Sequence, residues 1–191
     1  MRALLIVDMQ NDFMPGGALP IPQADKIIPI INELQNKFDL VFASQDWHPE
    51  KHCSFRNYPP HCVQKTHGAE LADELQWSNI EYIFQKGIDS HIDNFSIFDY
   101  EDGNAISYRH MSTAAEFLRS YNVTDLYICG VAAEICVKAN ALDSKNAGFN
   151  TFVFWDAVKF LNNDFEFMSK IKDELHHAGV RPVLSRWYFS I

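Results

Sequence analysis

Two groups of side chains in this sequence are of types and spacings that could do chemistry. The first is Cys136 with Asp8 and Lys86. Cys136 lies shortly after the apolar run Leu126-Tyr127-Ile128-Cys129 and Gly130, where the chain reads as the first turn of a helix. Unpaired backbone N–H groups and the positive end of the helix dipole there favour a thiolate. Asp8 could take the thiol proton, and Lys86 could hold the thiolate and carboxylate together. The plain alternative is a small core cysteine beside a structural Asp–Lys ion pair. The second group is Asp46, His48, His52 and His61, three imidazoles and a carboxylate close together in the chain. Such a donor set suits zinc first, with iron or manganese as alternatives, and leaves room for water or substrate. Asp46 and His48, two apart, share one side of an extended segment. A rival set, Cys53 and Cys62 with His52 and His61, lacks the Cys-x-x-Cys knuckle of common zinc modules. His67 is a spare candidate, and scattered solvated histidines are the simplest reading of all.

The elements that must position these groups follow from the apolar pattern. Apolar-rich runs at 2–7, 40–43, 82–84, 126–129, 151–154 and 180–184 read as six strands, the first without alternation, as expected for a strand covered on both faces. Between them, helices are expected up to about residue 38 (Ile27, Ile30, Ile31 and Leu34 on one face), around 69–76, and over 133–147, closed by Gly148. Another runs from about 165 to Gly179, with Met168, Ile171, Leu175 and Ala178 inward. Thr113-Ala114-Ala115-Glu116 matches a capping box that opens a helix to about Tyr121. Residues 47–68 are given no regular structure, and the aperiodic stretch 88–110 has the length of a lid or binding loop. Strands alternating with helices imply a parallel sheet with helices on both faces, and residues 1–191 read as one α/β domain. Ligands of such sheets bind at the carboxyl ends of the strands. Asp8, Asp46, Lys86 and Cys136 all fall at or just beyond such ends.

Composition narrows the partners. The apolar fraction of 47% and aromatic fraction of 14% are those of a folded chain, not a disordered one. A net charge of -9 argues against nucleic acid or an anionic membrane, both of which need clustered positive charge. No segment approaches the ~20 apolar residues of a membrane span. The first apolar run stops at Asp8, too short for a signal peptide. Four cysteines do not make a disulfide framework, so a reducing cytoplasm is the expected location.

The chain resembles the nicotinamidases (pyrazinamidases) of the isochorismatase-like cysteine hydrolases over nearly its full length. The likeness is carried by Val7-Asp8-Met9-Gln10-Asn11-Asp12-Phe13, by Asp46-Trp47-His48-Pro49 with His52, Ser54 and Phe55, and by Pro59-Pro60-His61-Cys62-Val63. It continues through Thr66 with Gly68-Ala69-Glu70, Lys86-Gly87, and Gly130-Val131-Ala132 ahead of Cys136. The resemblance implies a six-stranded parallel sheet in a Rossmann-like sandwich and a triad of Asp8, Lys86 and Cys136. It implies one divalent metal ion held by Asp46, His48, His52 and His61. It also implies a cis bond between Val131 and Ala132, and an oxyanion hole from the N–H groups of Ala132 and Cys136. Val131 and Ala132 join Phe13 and Tyr58 as substrate-binding residues, the two aromatics sandwiching a pyridine ring.

The implied reaction is hydrolysis of a small amide, nicotinamide, to nicotinate and ammonia through a cysteine thioester. Pyrazinamide is a second expected substrate, NAD salvage the setting, and a homo-oligomeric state is left open. The sequence departs from the family pattern at three places. Tyr58 stands where tryptophan is commoner, Ala133-Glu134-Ile135 precedes Cys136 where Thr-Asp-x is usual, and Phe95 stands where a tyrosine is usual. Three rivals remain: a metal-independent carbamoyl-type amidohydrolase, a catalytically silent nicotinamide-binding protein, and a zinc-stabilised scaffold.

Overall fold

A strand covered on both faces needs an unbroken apolar run, and β1 (Arg2–Val7) is buried from Ala3 onward. The computed structural model describes residues 1–98, 106–107 and 113–189, with 106–107 described as backbone only. β1 pairs in parallel with β2 (Leu40–Asp46), which pairs in turn with β3 (Tyr82–Lys86). A two-residue antiparallel strand, β4 (Ile106–Ser107), borders β3. On its other side β1 pairs with β5 (Asp125–Gly130), followed by β6 (Asn150–Val158) and β7 (Arg181–Val183), all parallel. The six parallel strands are those expected from the sequence; β4 is an addition, and the order is β4-β3-β2-β1-β5-β6-β7. The chain winds outward in one direction through β2 and β3 and in the other through β5, β6 and β7. The switch point therefore lies between β1 and β5, where such folds open a crevice at the strand ends.

Alternate residues of β1 point to opposite faces, and each face has its own core. Ala3, Leu5 and Val7 pack with Leu118 of α2 (Ala114–Ser120), Ala141 of α3 (Lys138–Asn146) and Leu175 of α4 (Phe165–His177). Leu4 and Ile6 pack with Ile31 and Leu34 of α1 (Ile28–Gln35). Pro29 sits in the first turn of α1, where a missing N–H is tolerated. The capping box is formed: the Glu116 N–H donates to Thr113 Oγ1 at 3.0 Å, and the Thr113 N–H to Glu116 Oε2 at 3.1 Å. No helix among the described residues is long and apolar enough to cross a membrane.

Several local expectations are corrected. No helix forms around 69–76, because tertiary backbone pairing takes those residues. Leu71 bridges to Gln10, the Ala72 N–H donates to Met9 O at 2.7 Å, and the Asn11 N–H to Glu70 O at 3.0 Å. Ala178 is exposed, since it caps α4 beyond its last inward turn. The helix expected from Ala133 begins with a π turn, Ala133–Val137, before α3 takes over. A final short helix, α5 (Arg186–Phe189), was not legible from periodicity. The part of the expected 88–110 loop at 99–105 and 108–110 lies outside the described residues.

Candidate active site

Asp8 is the first residue past β1, and there the backbone turns with φ at 49°. Its N–H reaches both the carbonyl and hydroxyl oxygens of Ser44, at 3.3 and 3.2 Å, and its Oδ1 accepts the Ser44 hydroxyl at 2.6 Å. Lys86 ends β3 directly beside Asp46, its register partner at the end of β2. Its side chain is fully buried. The ammonium lies 2.9 Å from Asp8 Oδ2, 2.5 Å from Asp46 Oδ1 and 3.4 Å from Cys136 Sγ. Gln10, also fully buried, clamps the end of β2. Its Nε2 donates to Asp46 O and Ala69 O, both at 2.8 Å, and its Oε1 accepts the Asp46 N–H at 2.8 Å.

The polar atoms of Asp8, Asp46 and Cys136 lie within 4.8 Å of one another, a spacing that could hold a metal. The Lys86 ammonium occupies that position instead, paired to both carboxylates. Burial of a lysine at this depth is sustainable only with such partners. Desolvation works against the lysine's charge, but Asp46 and Asp8 outweigh it and hold its pKa well above the ordinary value. Desolvation likewise opposes the charge on Asp46, yet Lys86 and His48 keep its carboxyl below the usual range. Asp8 goes the other way: burial raises its pKa more than Lys86 lowers it.

Cys136 corrects the thiolate expected at a helix start. Burial pushes the thiol well above its ordinary pKa, and the opposing pull of Lys86 does not overcome it. The sulfur lies within 4.8 Å of the Asp8 carboxylate, whose proton affinity burial also raises. That pairing suits proton transfer at the moment of attack more than a standing thiolate.

On the other side of Asp46, donor atoms of Asp46, His48 and His61 lie within 4.8 Å of one another. The His48 Nδ1 faces the Gly87 carbonyl at 2.9 Å and the His61 Nδ1 faces the Pro59 carbonyl at 2.8 Å. Nδ1–H donation to carbonyls turns both Nε2 atoms towards Asp46, the usual second-shell orientation of metal-binding imidazoles. The His48 Nε2 lies 3.7 Å from Asp46 Oδ2, and that carboxylate raises the His48 pKa against burial. Burial lowers the pKa of His61, which favours the neutral imidazole that a ligand must be. The donor set therefore fits a divalent ion. Gly87, at φ +63°, is needed here: a Cβ would come within 2.4 Å of the His48 ring.

His52 stacks on His48 with ring centroids 4.0 Å apart but stands outside the close trio. Its Nδ1 lies 2.7 Å from the Ser54 hydroxyl and its Nε2 3.0 Å from the Ile92 carbonyl. Among the described residues the rival cysteine set does not assemble. The Cys53 Sγ is 4.0 Å from His52 Nε2, while Cys62 is buried with its N–H on Asp12 Oδ2 at 2.6 Å. His67 is exposed beside Glu70 and Asp73.

Cys136, Ala132, Asp46, His48 and His61 all line one pocket. Phe13 and Tyr58 line it, and each packs against His61, at centroid distances of 5.7 and 6.1 Å. The Val131–Ala132 bond is cis. Val131 itself is fully buried with its N–H on Val7 O at 3.0 Å, so Ala132 alone of that pair meets the pocket. Leu19, Ile21, Asp93, Phe95, Ile135 and Leu161 complete the walls without having been singled out as binding residues. Ser44 and Gln10 were also missed as site residues. Their signal is a polar side chain in or beside a run that is otherwise buried, since such a group must find partners.

Residues 2–180 match the isochorismatase domain, and the chain belongs to that family. Among its relatives, the nicotinamidase of Acinetobacter baylyi is 36% identical over 205 residues, covering 96% of this chain and 92% of the relative. The crystal structure of the pyrazinamidase of Pyrococcus horikoshii in complex with zinc is 40% identical, with a TM-score of 0.81, covering 96% of this chain and 98% of that one. The structure of PnC1 from L. infantum in complex with nicotinate is 34% identical, with a TM-score of 0.86, covering 97% and 93%.

Proposed function

We infer that this chain is a nicotinamidase, hydrolysing nicotinamide to nicotinate and ammonia and accepting pyrazinamide, in NAD salvage. The observation that carries the reading is one pocket lined by Cys136, Asp46, His48 and His61, with Lys86 and Asp8 buried behind the sulfur. Relatives named as nicotinamidases, matched over nearly the whole chain, support it.

In this mechanism Asp8 takes the Cys136 proton as sulfur attacks the amide carbon. The backbone N–H groups of Ala132 and Cys136 face the resulting oxyanion, and each such donor contributes ~3 kcal/mol at the transition state. Asp8 returns the proton to the nitrogen, ammonia leaves, and a thioester remains on Cys136. Asp8 then deprotonates a water that attacks the thioester; nicotinate departs and sulfur regains a proton. Lys86 holds its charge throughout and compensates whichever of Asp8 and Cys136 is anionic. Phe13 and Tyr58 hold the ring by its faces. Asp46, His48 and His61 would hold a divalent ion, zinc first, and His52, stacked on His48, would join them by giving up the Ile92 carbonyl. Such an ion supplies an open coordination position for the ring nitrogen.

The small amide is the only partner this reading requires, with the protein in the cytoplasm and self-association left to measurement. Ammonia release from nicotinamide by metal-analysed protein is the test. Release in proportion to a bound divalent ion supports the reading. Metal-free protein that hydrolyses only N-carbamoyl substrates would replace it.

A further inference from the structure

Asn140 is fully buried inside α3. Asparagine is a poor helix former, and its buried amide must be satisfied. It has three partners. Its Nδ2 donates to the carbonyl of Cys136 at 2.8 Å and to that of Phe95 at 3.2 Å, and its Oδ1 accepts the Ile97 N–H at 3.1 Å. The first contact lies one turn back on its own helix; the other two belong to a distant segment.

That segment has no regular structure over residues 92–96 and shapes itself by short-range bonds. The Asn94 Oδ1 accepts the Ser96 N–H at 3.0 Å, and the Ser96 Oγ accepts the Phe98 N–H at 3.1 Å. It contributes Asp93 and Phe95 to the pocket wall. Phe95 is 41% exposed, so packing alone does not fix its ring, whereas Ile97 two residues on is buried in the core. The backbone on either side of this anchor is held by one amide, which also holds the turn carrying the nucleophile.

We propose that Asn140 is a positioning residue that fixes Phe95 at the pocket mouth, so that the site takes flat, unsubstituted ring amides and closes around them. The inference rests on the amide-hydrolysis reading above. It predicts that loosening this tie weakens capture of the ring while leaving bond cleavage at Cys136 intact.

Asn140→Ser separates the two halves of the tie. A serine hydroxyl inside a helix bonds back to the carbonyl four residues earlier, here that of Cys136, but cannot span to the 92–98 segment. The experiment measures KM and kcat for nicotinamide, and separately the rate of Cys136 alkylation by iodoacetamide. It uses wild type, Asn140→Ser, Phe95→Ala and the double variant. Asn140→Ser is expected to raise KM roughly five- to tenfold with kcat changed less than about twofold, and to speed alkylation by opening the mouth. Phe95→Ala should do the same, and the double variant should be no worse than the poorer single one.

Multiplying losses in the double variant, a fall in kcat at unchanged KM, or wild-type behaviour of Asn140→Ser would each overturn the proposal. Should Asn140→Ser not fold, Asn140→Asp takes its place. It places a carboxylate oxygen against both the Cys136 and Phe95 carbonyls and so disturbs both halves of the tie. There the alkylation rate of Phe95→Ala against the double variant Phe95→Ala/Asn140→Asp decides, a further rise in the double variant overturning the proposal. If the wild type releases no ammonia from nicotinamide, the functional reading fails, while the alkylation series still decides the role of Asn140.

Discussion

Ser44 places its hydroxyl 2.6 Å from Asp8 Oδ1, one strand over and two residues before Asp46. The same hydroxyl oxygen accepts the Asp8 N–H at 3.2 Å, so a single side chain fixes both the backbone and the carboxyl of the residue proposed as general base. Burial raises the Asp8 pKa, and the Ser44 hydrogen bond is among the contacts that pull it back down. Ser44→Ala removes that pull, so the Asp8 pKa rises further. Asp8 must be ionised to accept the thiol proton. The acid limb of the kcat/KM profile therefore moves to higher pH, with activity on that limb reduced roughly tenfold. A pH–rate profile on both proteins checks it, and superimposable acid limbs would remove Ser44 from any tuning role.

Cys136→Ala should abolish turnover, by on the order of 10⁴-fold or more, while fold and metal content stay as in the wild type. Cys53, Cys62 and Cys129 have no comparable place: Cys129 is buried with its thiol toward Leu5 O, and Cys53 and Cys62 do not line the pocket. Ammonia release together with metal analysis provides the check, and near wild-type release from the variant would disprove a covalent mechanism.

Lys86→Met has two expected effects. The variant leaves two buried carboxylates without their cation, which costs ~3–5 kcal/mol of stability and lowers Tm. Lys86 also pulls the Cys136 pKa down against burial, so its loss moves the alkylation profile to higher pH and slows alkylation near neutrality. Thermal unfolding and alkylation rate against pH read the two effects separately. An unchanged alkylation profile would place Lys86 in the structure but not in the chemistry.

His61→Ala should discriminate between substrates. Nicotinamide has a ring nitrogen for the ion; benzamide has the same amide and nearly the same shape without it. Benzamide should be roughly 10- to 150-fold poorer on the wild type. On His61→Ala, or after chelation, nicotinamide should fall towards the benzamide level while benzamide changes much less. The four kcat/KM values form a cycle with ring nitrogen and His61 as partners. Equal losses for both amides would make the ion a structural staple of residues 47–68.

Much of this molecule is legible in its sequence because its elements are local. The run ending in Val7 and the box from Thr113 to Glu116 carry their own structural instructions, and both form as expected. The helix expected around 69–76 fails for the opposite reason: Leu71 and Ala72 find partners at Gln10 and Met9, far away in the chain. Asp8, Lys86 and Cys136 could be grouped because strand ends in a parallel sheet converge. The full balance at the thiol could not be read, since the helix start favours a thiolate and the burial that opposes it exists only in the folded chain. Nor was Asn140 visible, because its partners at Phe95 and Ile97 exist only in three dimensions.

The tethered ammonium at Lys86 has a consequence for metal trafficking. A thiol and two carboxylates within 4.8 Å of one another would be a ready trap for thiophilic ions such as cadmium or excess zinc. Lys86 fills that trap with a cation that cannot exchange, because it is part of the chain. An arriving ion would then meet Asp46 on the side of His48 and His61. The two halves of the site would share one carboxylate without competing for one ion, and loading the imidazole side would leave the sulfur free.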